Sequence, residues 1–302
     1  MSVLSRFFGR GKKQPTPQRS DDKPVSKEGQ QGAALQVVFS GSLNVPAAAL
    51  AQRLQQFDAS TREAKCEFQP GLDLLGFVEW GGHGVRMFGV NAPFPKQHLE
   101  MCVAPAHYAQ ELKETIRRAD SHVLLWYAGD GDTPMRTQYA VLAMIAEALA
   151  DFGAVGTLNE LGHTSLPSGF LKSAPSDQIW GLLQSLPLTM LYCGFVKYEV
   201  EGTKGVWMRT YGARKFGLPD FAVLAEGHHE GGHYSDLINN IWDYMLQSGA
   251  QMAAGHTMQI GEGNYLKLRD PTSQEYFLHG PDKVLVASII GSGEINRPGA
   301  SQ

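Results

Sequence analysis

The densest chemistry in the chain is Glu226-Gly-His228-His229-Glu230-Gly-Gly-His233, three imidazoles and two carboxylates in eight residues. Imidazoles and carboxylates are zinc ligands and general bases. With His228, His229, Glu230 and His233 as donors, the stretch is a weak candidate metal site, the basis for an alternative reading as a metal-dependent hydrolase. Its order is not HExxH, which would set two ligands and a base on one helical face. His229 and His233 would share a face only if Gly231 and Gly232 were helical, which is costly. The residues therefore predict a solvated loop leading to a helix capped by Ser235. No catalytic residue, metal or cofactor is assigned.

A second set is Trp207, Arg209 and Tyr211, alternate residues of a predicted strand. On an exposed face they would form a protein-binding patch, since Trp, Arg and Tyr dominate binding hot spots; a covering layer would remove it. Asp130 and Asp132, before a helix opened by Thr133 and Pro134, could hold a cation, but their spacing fits no calcium loop. The glycine turns at Gly81 and Gly202 lack the GxxxxGK[ST] and GxGxxG orders that cradle phosphate. Ser165 and Ser168 stand in no GxSxG elbow, and Cys193, in an apolar run, reads as core.

The elements that would position these residues follow from periodicity. Ser121–Glu160 reads as strand, turn, helix, strand: an apolar run 122–127, Asp130-Gly131-Asp132 as turn, and Val141, Leu142, Ile145 and Leu149 on one helical face. Gly153 stops the helix before a strand from Ala154. Upstream, a strand at 35–40 precedes a helix opened by Pro46. A hairpin of strands 72–80 and 85–90 follows, then a helix over 107–118. The order is that of a ferredoxin-like βαββαβ unit. Downstream, 188–200 predicts a long strand hairpinned to 206–211. A polar loop 226–234 leads to a helix from Ser235 to Gly249, with closing strands at 257–260, 264–268 and 284–289. The expected class is α+β, with mixed or antiparallel sheets and helices packed on one face. Its body, 33–290, has possible halves 33–160 and 161–290.

Composition sets the outer bounds. Hydrophobic residues at 43% and charged residues at 19% exclude a disordered chain. Residues 1–30 carry seven Lys/Arg against three Asp/Glu, which leaves 19 against 27 in the remainder, an acidic body behind a basic arm. Phosphate backbones would be repelled, so no nucleic-acid partner is expected. Three widely spaced cysteines suit a reducing compartment. No run suits a membrane span or signal peptide, which predicts a cytoplasmic location. The arm, 1–32, reads as flexible, with Val3, Leu4, Phe7 and Phe8 offering weak membrane-surface contact. Residues 291–302 read as a disordered end.

Several stretches in order, HVLLWYAG with AVGTLNE, LPLTMLYCGFVKYEVEG, FGLPDF, and DLINNIWDYMLQSGAQMAAGHTMQIGEGNYLKLR, resemble a bacterial domain of unknown function, family 4261. The resemblance would cover about 33–290. It implies a stand-alone bacterial cytoplasmic protein, with some members among toxin and immunity genes, and carries no activity onto residues. The function expected first is non-enzymatic protein binding, as an immunity or accessory factor whose acidic surface captures a basic toxin. A small-molecule sensor using the ferredoxin-like half is a further alternative.

Overall fold

A computed structural model describes residues 32–70, 74–280 and 282–295; the basic arm up to Gln31 and the C-terminal end from residue 296 lie outside these. The class is α+β, with two sheets. The first has the order β2 (Lys65–Phe68), β3 (Leu74–Trp80), β4 (His83–Val90), β5 (Ser121–Tyr127), β1 (Ala34–Phe39), β6 (Ala154–Asn159), β7 (Thr164–Pro167), every pair antiparallel.

That order departs from the expected ferredoxin-like one, in which β1 would lie between β4 and β5. Here β5 lies between β4 and β1. The cause is a helix the sequence pattern did not reveal. A single helix after β4 would return the chain parallel to β4. Two helices, α2 (Lys96–Val103) and α3 (Gln110–Arg117), return it antiparallel along β4's own edge.

Helices also cover both faces of this sheet, where one was expected. On one side Leu35, Val37 and Phe39 meet Leu50 and Leu54 of α1 (Ala47–Phe57) and the whole of α4 (Met135–Ala148). On the other, Val38 and Leu158 meet Leu99, Cys102 and Val103 of α2 and Ile116 of α3. Both faces of β1 are buried because a strand with apolar residues at odd and even positions has two faces to cover. Helix α4 is enclosed on all sides. Glu147, off the apolar face of Val141, Leu142, Ile145 and Leu149, is 3% exposed and accepts N–H bonds from Gly169 (3.0 Å) and Leu171 (3.3 Å).

The second sheet runs β11 (Thr257–Gly261), β12 (Asn264–Arg269), β13 (Val284–Gly291), β10 (Asp220–Ala225), β9 (Val206–Tyr211), β8 (Gly194–Tyr198), antiparallel except for the parallel pair β10–β13. Helix α7 (Gly231–Ser248) packs Ile238, Ile241, Trp242 and Met245 on one face of it. The 3₁₀ segment Ser273–Leu278 covers the other.

Three expectations change here. The predicted strand 188–200 is a short helix, α6 (Leu188–Leu191), then β8, since Pro187 opens a helical turn. Asp220–Ala225, to which the sequence pattern gives no strand between the hairpin at 206–211 and the loop at 226–234, is the strand β10 beside β9. Helix α7 begins at Gly231, four residues before Ser235, and has no side-chain cap.

Candidate functional site

Strand β7 of the first sheet and β8 of the second are brought together by close backbone contacts. A Cβ on Gly194 would overlap the Gly162 carbonyl, so only glycine lets β8 start there. Asn159 Nδ2 donates to the Leu191 and Tyr192 carbonyls at 2.9 and 3.0 Å, fixing α6 to β6. Between these elements, the 105–108 turn and the start of α7 lies a cavity of about 510 Å³.

Apolar walls come from Leu166, Phe170, Met190 and Phe195, and polar side chains are interspersed among them. Tyr108 and Ser165 share a hydroxyl–hydroxyl bond of 2.8 Å, and Ser165 also donates to the Cys102 carbonyl at 2.9 Å. Ser235, expected as a cap, instead lies 3.1 Å from the Thr189 hydroxyl, which accepts from Asn239 Nδ2 at 2.7 Å. Those groups are mutually satisfied.

Lys197, His107 and His163 are not. Lys197 Nζ makes one long bond, 3.4 Å, to the His228 carbonyl, and has no carboxylate within ion-pair distance among the described residues. Gly231 lies so close that a Cβ there would overlap this ammonium. Burial holds the His107 imidazole below its ordinary pKa, with Lys197 and then Lys113 adding to the effect. His163 is lowered by burial first and by Arg209 second, against Glu160. It is also the single non-glycine residue at positive φ (48°) among those described, with its ring stacked 4.1 Å from Tyr211. At neutral pH the cavity therefore holds one cation, Lys197, and two neutral imidazoles.

The expected metal candidates surround the start of α7 without converging. His228 Nε2 stands 3.2 Å from Glu199 Oε1, and Glu230 accepts the Glu226 N–H at 2.6 Å. His233 packs edge-on to Tyr234. Gly231 is helical, yet His228–Glu230 form a 3₁₀ turn, so His229 and His233 are not on one α-helical face. Among the described residues no three His, Cys, Asp or Glu side chains cluster as a metal site. Asp130 accepts the Asp132 N–H at 3.0 Å as an ordinary turn, and the Thr133 hydroxyl accepts from Tyr127 instead of capping α4.

The proposed docking patch is also corrected. Trp207, Arg209 and Tyr211 do share a face, but Trp207, 3% exposed, lies under Phe277 and Leu278, and Arg209, 2% exposed, lies against His279 and Gly280.

Residues 209–287 match the family model of a domain of unknown function, DUF4261. No curated protein and no solved structure matches the chain. The matched span is shorter than the 33–290 that the resemblance suggested. The DUF4261 segment runs from Arg209 in β9 into β13, and so supplies the α7 wall of the cavity. Lys197, His107 and His163 come from outside it.

Proposed function

We propose that this protein is a non-enzymatic binding factor of the bacterial cytoplasm, and that the cavity between β7 and β8 holds a small anionic molecule. The observation that carries this is Lys197, a cation without a carboxylate partner lining a largely apolar cavity of about 510 Å³. That size lies within the range of small-molecule sites, which combine apolar walls with few polar groups. The hydroxyls there pair with each other, and among the described residues no carboxylate is hydrogen-bonded to His107 or His163 to make a base, which supports binding over catalysis. This is the sensor alternative, moved from the first sheet to the junction of the two. Thermal shift with a panel of small carboxylates and phosphomonoesters tests it. A binder at 100 times its Kd should stabilise the protein by about 2.7 kcal/mol, and Lys197→Met should lose most of that. No stabilisation by any anion, or an unchanged response in Lys197→Met, would sink the reading.

A protein partner remains the second reading, in the immunity or accessory role implied by the family resemblance. Its support moves to the first sheet. Phe88 (44% exposed) and Trp126 (42%) share an outer face with Leu75 and Phe77, around Arg86. Pull-down from the native host, repeated with Trp126→Ser, should lose a stoichiometric partner; a complex untouched by the substitution would place it elsewhere.

A further inference from the structure

The most buried arginine of the described chain has no carboxylate at ion-pair distance, Asp220 acting on it only from further off. Arg53, Arg117, Arg136, Arg214 and Arg269, all more exposed, each pair with a carboxylate. Arg209 is 2% exposed, and its one bond runs from Nη1 to the His279 carbonyl at 3.5 Å. Its Nε is buried without an acceptor. Two residues earlier on the same face, the Trp207 indole N–H is buried without one as well. Directly across from Trp207 on β8, the buried Tyr198 hydroxyl also has no bond of normal length.

The surroundings supply little to meet these donors. Phe277 presents its ring to Trp207 and Tyr198, at 5.7 and 6.1 Å between centroids. The Tyr211 ring lies 4.3 Å from the guanidinium and favours the cation by its face, and the Tyr198 and Tyr211 hydroxyls, both neutral, are polar groups that face Arg209. Gly280 lies so close that a Cβ would stand 2.6 Å from Nη2. A buried cation without a partner is costly, and each orphaned donor adds to the cost. Guanidinium and indole nitrogens can only donate. A group that is negatively charged and rich in acceptors would meet both the cation and the orphaned donors of this face, which describes an oxyanion.

We propose that the outer face of β8 and β9 is an oxyanion site, in which Arg209 and the Trp207 indole take up a carboxylate or phosphate group when the segment Ser273–Gly280 lifts. That segment is anchored at its start, where Thr272 and Glu275 form a capping box and Glu275 pairs with Arg269 at 2.6 Å. Its far part, Phe277 to Gly280, is what covers Trp207 and Arg209. The site is on the opposite face of β8 and β9 from Phe195 and Lys197, and so is separate from the cavity.

The test is calorimetric titration of the full chain with inorganic phosphate and, separately, with acetate, alongside hydrogen exchange over 273–280. At least one anion should bind saturably and change exchange in that segment. Titrated in a Lys197→Met background, which removes the cavity's own cation, this binding should persist; Arg209→Met added there should abolish it, and Trp207→Phe should weaken it about tenfold. Phosphate alone or acetate alone assigns the oxyanion class. The proposal is overturned if neither anion binds in the Lys197→Met background, if exchange is unchanged on binding, or if the signal there survives the added Arg209→Met. Binding lost in Lys197→Met but kept in Arg209→Met overturns it in favour of the cavity. Should Arg209→Met fail to fold, wild-type affinity in Trp207→Phe overturns it equally.

Discussion

Two buried ionisable side chains set how the protein responds to pH. Asp220 is 1% exposed, and burial raises its carboxyl from 3.8 to about 6. Its Oδ1 accepts from the Thr210 hydroxyl and the Ala213 N–H at 3.0 and 3.3 Å, which only partly offsets the desolvation. The folded state then binds this proton more tightly than the unfolded chain does. Its contribution is most favourable below about pH 4 and is lost as pH rises through about 6. Glu147, raised by burial despite its two N–H donors, pushes in the same direction. Asp220→Asn keeps an oxygen acceptor and cannot ionise. Relative to wild type, it should gain stability on going from pH 4 to pH 7, by up to about 3 kcal/mol for a shift of this size. Urea melts at several pH values would read this, and a constant difference across the range would show that Asp220 does not titrate there. The cavity has the same sense for a ligand. His107 and His163 are held below the ordinary imidazole value. Anion affinity should therefore rise as pH falls below the ordinary imidazole range, and an affinity that stays flat down to the acid limit of the folded state would exclude both imidazoles from the ligand's surroundings.

At the scale of elements, what was legible in the sequence depended on whether local signals were contradicted by distant ones. The β3–β4 and β8–β9 hairpins, and the β5–α4–β6 unit with Gly153 at φ 92°, follow from turn glycines and apolar periodicity. The DFAVLA strand β10 was missed because Gly217, Leu218 and Pro219 give a strong turn signal directly before it, while its partners β9 and β13 are set by tertiary pairing. Helix α2 carries only a weak amphipathic pattern, and missing it hid the true order of the first sheet. The site was less legible still. His107, His163 and Lys197 are separated by more than thirty residues each and belong to no spaced motif, so only the fold assembles them. Histidines 228, 229 and 233 formed the visible cluster because they are close in sequence, which does not make them converge. Gly231 links element and site directly. Alanine there should favour the first turn of α7 by about 0.5–1 kcal/mol. Its Cβ must also displace the Lys197 ammonium, a move that the flexible lysine chain can make. Gly231→Ala should thus keep or raise Tm while weakening any anion held by Lys197; equal loss of both would mean that Lys197 serves the fold alone.

For the whole molecule, the boundary suggested near residue 160 falls inside a shared structure. Strand β7, residues 164–167, completes the first sheet, and one apolar cluster runs from Ala33 and Leu35 through Tyr139, Tyr192 and Phe221 to Leu285 and Ala287. Tyr139 of α4 stacks on Tyr192 beside α6 at 5.5 Å and on Phe216 ahead of β10 at 5.8 Å, so its ring belongs to both halves. From Gly32 the chain forms one compact unit. Neither half can bury its face of that cluster alone, and cooperative unfolding is the physical consequence. Calorimetry should show one transition, with calorimetric and van't Hoff enthalpies equal. Tyr139→Ala, which empties a fully buried site, should lower stability by about 3–5 kcal/mol without splitting that transition. Two transitions, or a fragment 33–160 with the sharp tertiary signals of a folded domain, would show instead that the halves are independent. The cavity would then lie at a mobile junction, and its Lys197 would be positioned by ligand binding, not by the fold.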